Sequence, residues 1–87
     1  MTDLGTLGGP VSQGSAINAQ GQVTGYAATA SGSFHAFRWT ASGGMRDLGT
    51  LGGPNSSGSG LGINARGQVT GFAAVASGFA HAFLWTP

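Results

Sequence analysis

The chain contains no cysteine, no lysine and no glutamate, and only five of its 87 residues are charged: Asp3, Asp47, Arg38, Arg46 and Arg66. Without cysteine there are no disulfides, no thiolate nucleophile and no sulfur-ligated zinc. Three arginines spread along the sequence give a net charge of +1 and no basic stripe for nucleic acid or an anionic membrane surface. Apolar runs fall far short of the roughly 20 residues that cross a bilayer, so membrane insertion is not expected. No charged-then-apolar opening marks a secretory signal in this chain. Large aliphatic and phenyl side chains are scarce as well, with Leu, Ile, Val and Phe supplying 17 positions.

What is plentiful is glycine. Eighteen Gly, nine Ser and three Pro make up about a third of the chain, a composition that usually accompanies disorder. Disorder also usually brings high charge, whereas this chain is nearly neutral, with a mean hydropathy of +0.12. A neutral, cysteine-free domain of this length leaves much of its surface in water. It needs a further source of stability, and association with copies of itself is the expected one.

The chain is two copies of one unit. MTDLGTLGGP at 1–10 recurs as MRDLGTLGGP at 45–54, nine of ten positions identical, and the segment 16–40 recurs at 62–86 with 18 of 25 identical. The units are 1–44 and 45–87, and two extra residues fall in the Gly/Ser loop 55–61. Each unit reads as four short strands: Thr2 to Leu7, Ser15 to Asn18, Gln22 to Thr29 and Phe34 to Thr40 in the first copy. On the fourth, His35, Phe37 and Trp39 share one face and Ala36 and Arg38 the other. Gly8-Gly9-Pro10 and Gly52-Gly53-Pro54 read as turns, as do Asn18–Gly21 and Asn64–Gly67. No helical period appears, so the fold class is all-β.

A repeat of 40–50 residues carrying four strands has the size of a β-propeller blade. If 15–18 is the innermost strand, 46–51 becomes the outermost strand of the first blade. Strand 2–7 is then left without a partner, and the blade ending at Trp85 lacks its outer strand. Asp3, Leu4, Thr6 and Leu7 of one chain are therefore expected to complete the edge carrying Phe83 and Trp85 of the next. Such a head-to-tail contact forms a ring if the rotation closes and a fibre if it does not. Two blades per chain force an even total, and a homotrimer of six blades is favoured over a homotetramer of eight.

Asp47-Leu48-Gly49-Thr50-Leu51-Gly52-Gly53, the run Ile63 to Gly71 and His81-Ala82-Phe83-Leu84-Trp85 resemble, in that order, the bacterial HAF repeat family of extracellular repeats. Both copies match, so the resemblance spans nearly the whole chain. Thr24 and Thr70 stand where that family commonly has a second Val, and Arg38 replaces its usual Leu. The resemblance implies a secreted or surface location and a blade-like β repeat, without implying any chemistry.

His35 and His81 occupy one position in each copy and, with Asp3 and Asp47, suggest either a hydroxyl–His–Asp relay or a hydrogen-bond network within each blade. Retention of the set in both copies favours the structural network, so no catalytic residue is assigned. One His per unit, with no Glu or Cys, offers no metal site, and no cofactor is implied. Trp39, Trp85 and Tyr26, with Arg38, Asn18 and Asn64, are candidates for binding a glycan; the competing reading is that the aromatics form the core. Tyr26 and Arg38 are the expected exposed members, because the second copy replaces them with Phe72 and Leu84. The expected function is a non-enzymatic, self-assembling repeat module, with a lectin-like propeller and a fibre-forming repeat as alternatives.

Overall fold

The computed structural model describes residues 1–52, 58–77 and 79–87. Seven strands run in chain order: β1 (Gly8–Ile17), β2 (Val23–Thr29), β3 (Phe34–Thr40), β4 (Gly44–Asp47), β5 (Gly58–Ile63), β6 (Val69–Ala74) and β7 (Ala80–Trp85). They form two antiparallel sheets, β1-β2-β3-β4 and β5-β6-β7, with no helix among the described residues. The radius of gyration is 12.0 Å, about what a folded chain of this length has. The glycine-rich composition is therefore not that of an expanded chain.

The repeat is visible in the pairing. Thr24 lies opposite Arg38 and Tyr26 opposite Ala36 in the first sheet, as Thr70 lies opposite Leu84 and Phe72 opposite Ala82 in the second. Both inner hairpins close with a glycine at positive φ: Gly21 and Gly67 donate to the carbonyls of Asn18 and Asn64. Both innermost strands carry a register shift, at Gly14/Ala16 and Gly60/Gly62. There a Cβ on Gly25 or Gly71 would overlap the backbone carbonyl of Gln13 or Ser59. Glycine is the side chain this bulge permits.

The first sheet takes its fourth strand from the start of the second unit: Met45 lies opposite Trp39 and Asp47 opposite Phe37. That matches the phase expected from sequence, although β4 ends at Asp47 and residues 48–50 continue without pairing as a strand. The second sheet has three strands, and the outer edge of β7 has no strand beside it among the described residues.

Two expectations fail. Residues 2–7 are not a strand; only Leu7 forms a bridge, to Thr29. Gly5 stands at a φ of 87° and its amide donates to Asp3, which turns the chain there as Gly49 and Asp47 do in the second unit. Gly8-Gly9-Pro10 is not a turn either, because it begins β1, which is ten residues long and absorbs the shorter strand expected at 15–18. Gly9 packs so closely on Ala28 that a Cβ would collide. The glycines here serve a close approach to β2. Of the second copy, Gly53 and Pro54 lie outside the described residues.

The sheets meet face to face through β5, which packs across β1, β2 and β3. The core is made of small residues: Ala27, Ala28, Ala36 and Ala73 are buried beside Phe37, Val69 and Thr24. Gly60 rests on Thr24, and Gly58 lies near the Ala36 amide. The seam between the sheets is thus a contact of the β5 glycines with Thr24 and the Ala36 backbone.

Candidate functional site

Two features of the repeat stand open among the described residues. On β2 and β3, Thr24, Tyr26, Ala28, Phe34, Ala36 and Arg38 share a face, because paired residues in an antiparallel sheet point to the same side. The second sheet lies on that face, and Thr24 and Ala36 are essentially sealed from solvent. The equivalent face of the second sheet has no third sheet upon it. Thr70, Phe72 and Ala82 are exposed, and Leu84 is 70% exposed. At the opposite end, Ile17 of the first sheet is 69% exposed, whereas its counterpart Ile63 is half-buried.

The second open feature is the start of the chain. Asp47, the last residue of β4, accepts a hydrogen bond from the Gly49 amide at 2.7 Å, and Asp3 accepts one from Gly5 at 2.9 Å. Thr50 Oγ1 accepts from Gly52, as Thr6 Oγ1 does from Gly8. Gly5 and Gly49 have φ of 87° and 82°, and Gly8 and Gly52 have 107° and 103°. Segment 3–8 therefore has the local fold of 47–52, and the Ser12 hydroxyl fastens it by donating to the Gly5 carbonyl at 2.6 Å. Residues 45–47 pair with β3, whereas their equivalents 1–3 pair with nothing among the described residues.

Comparison of the chain with family models, with curated proteins and with solved structures finds no match. The geometry has to carry the reading. His35 Nδ1 lies 2.9 Å from Asp47 Oδ2, so the structure joins this half of the expected network. His81 is exposed, and Asp3 bonds the Gly5 amide and no histidine among the described residues. Neither histidine bonds a serine or threonine hydroxyl among the described residues. No group of three His, Cys, Asp or Glu able to hold a metal ion occurs among them.

The candidate glycan residues do not form one site. Asn18 and Asn64 belong to the inner hairpins: each bonds the glutamine four residues on, and Asn18 Nδ2 also donates to the Asn64 carbonyl at 2.8 Å, tying the sheets together. Trp85 is covered by two guanidinium groups, those of Arg38 and Arg46. Trp39 is half-buried on the far side of the first sheet. The expected exposures are reversed: Tyr26 and Arg38 are half-buried against the second sheet, and Phe72 and Leu84 are exposed. Position in the stack decides this, since only the first sheet has its face covered. Tyr26 does line a groove of about 240 Å³ with Phe34, Gly58, Ser59 and Phe72, stacked edge-on to Phe34 at 5.3 Å. Its hydroxyl bonds Gln13. Sequence reading missed this groove because it forms only where β5 crosses the first sheet.

Proposed function

We propose that this chain is a non-enzymatic, self-assembling module in which two propeller-type blades are completed by head-to-tail exchange between copies. Residues 1–3 of one copy add a fourth strand to β7 of the next, with Asp3 beside His81 as Asp47 stands beside His35. The exposed face of Thr70, Phe72, Ala82 and Leu84 then covers the partner's face around Gly14, Ile17, Val23 and Trp39, repeating the seam inside each chain. The observation that carries the reading is the local fold of segment 3–8. It already has the hydrogen bonds and glycine geometry of a linker whose preceding strand is paired, while its own is not. The resemblance to HAF repeats supports an extracellular or cell-surface setting for such a module, and a trimer of six blades is the favoured closed form.

Light scattering at micromolar concentration tests the assembly. A discrete mass of about three chains, falling to one chain when residues 1–7 are deleted, is the expected result. A monomeric full-length chain would overturn the reading, and a continuous size distribution would shift it to an open fibre. The second reading, carbohydrate binding, is favoured by the aromatic groove at Tyr26 and Phe72. It is tested on a glycan array with Tyr26→Ala as the control.

A further inference from the structure

Two arginines, Arg38 and Arg46, meet at one end of the seam between the sheets, and the backbone of the third, Arg66, lies beside Arg38. Arg38 and Arg46 are cross-strand partners on β3 and β4, so they share a face. The central carbon of each guanidinium lies 5.5 Å from the centre of the Trp85 ring on β7. Gly67, in the β5–β6 turn, lies against Arg38: a Cβ there would be 2.8 Å from a terminal guanidinium nitrogen and 3.1 Å from Nε. Arg66 is the preceding residue on that turn and is exposed. Its Cα is about 3.8 Å from that of Gly67, so the backbone of a third arginine stands at the rim, within reach of the other two.

No acidic group balances this cluster. The acid–base contact found among the described residues is His35–Asp47, on the opposite face of the first sheet from Arg38 and Arg46. Arg38 Nε is buried without a hydrogen-bond partner. The hydrogen bond that Arg66 makes is from its backbone amide, and none of the three guanidinium groups donates to an acceptor among the described residues. Trp85 engages the cations through its ring, which satisfies charge but leaves the N–H edges free. A buried cationic donor without an acceptor is costly unless something fills the position.

We propose that the end of the seam bounded by Arg38, Arg46 and Arg66 binds an oxyanion, a carboxylate or phosphate group, through the free guanidinium edges. Planar guanidinium forks match both groups in geometry and charge. At the equivalent positions of the other copy stand Leu84, Thr2 and Gln20, so each chain has one such site. All three arginines and Trp85 belong to one chain, and the site therefore does not depend on assembly.

The repeat supplies its own controls, because R38L, R46T and R66Q install the residues the other copy uses. The full chain is titrated at low salt with inorganic phosphate, glucuronate and glucose, following the Trp85 indole N–H by NMR. Saturable shifts with phosphate, glucuronate or both are expected, with no response to glucose. A response to glucuronate alone identifies an acidic sugar as the source, and a response to phosphate alone identifies a phosphate group. R38L and R46T should each weaken binding roughly tenfold or more, R66Q less, and added salt should weaken it further. Arg46 is exposed, so R46T keeps the test decisive if R38L does not fold. No saturable response to either anion, or an R46T affinity equal to that of the parent, would overturn the site.

Discussion

Gly60 rests on the Thr24 hydroxyl so closely that a Cβ at position 60 would overlap Oγ1, and that same hydroxyl donates to the Phe37 carbonyl at 2.7 Å from a fully buried position. The pair joins the two sheets at their tightest point. One residue has no side chain to move, and the other is pinned by its hydrogen bond.

Gly60→Ala is therefore expected to destabilise the chain by about 1–3 kcal/mol, the range for overpacking a filled interior. Urea unfolding followed by tryptophan fluorescence measures it, and an unchanged midpoint would show that the seam can spread without cost.

Gly14 is the counterpart of Gly60 on the first sheet and is exposed, with the Val23 side chain 3.3 Å from where its Cβ would stand. Gly14→Ala should alter the stability of one chain by no more than about 0.5 kcal/mol, as surface changes do. In the proposed assembly the new methyl meets Thr70 of a second copy. Sedimentation should show a shift toward smaller species, and an undiminished mass would argue against face-to-face stacking.

Thr24→Val removes the buried hydroxyl that serves the Phe37 carbonyl and should cost about 1–2 kcal/mol. Thr70→Val removes the matching 2.9 Å bond to the Phe83 carbonyl from an exposed face. It should cost well under about 1 kcal/mol in an isolated chain, where water can replace the donor. Thermal melts of the two variants compared at low concentration separate the cases.

Asp47→Ala loses the contact to His35 and the bond from the Gly49 amide. The aspartate side chain is 42% exposed, so a loss below about 1 kcal/mol is expected. Asp3→Ala should leave the unfolding of a dilute chain unchanged and weaken assembly. Equal effects of Asp3→Ala and Asp47→Ala on dilute-chain stability would place Asp3 in an intrachain role.

The sequence already disclosed much of this fold, for identifiable reasons. Phe34 to Thr40 places His35, Phe37 and Trp39 at every second position and is a strand over that span. Asn18–Gly21 and Asn64–Gly67 are turns because a glycine stands where φ must be positive. The donation of β4 by the second unit followed from the phase of the repeat. Where the reading failed, tertiary demands had overridden local signals. Gly8-Gly9-Pro10 carries turn chemistry but is needed for close approach to Ala28, and residues 2–7 turn at Gly5, whose positive φ breaks the strand expected there. No sequence period relates Arg38 to Arg46; strand register sets them side by side, and the second sheet brings Trp85 to both. Tyr26 and Phe72 are alike in sequence and differ in exposure because one lies inside the stack and the other at its end.

The first sheet borrows its last strand from the unit that follows it, and this has a consequence for how such a chain can change length. In the proposed assembly, inserting or deleting one whole repeat leaves every remaining sheet between neighbours of the same kind in the same register. A gene carrying this unit can grow or shrink by duplication and loss without inventing a new contact. In a closed ring of the proposed kind the angle between successive sheets limits the number of units, as a geometric bound that no single residue in the repeat encodes.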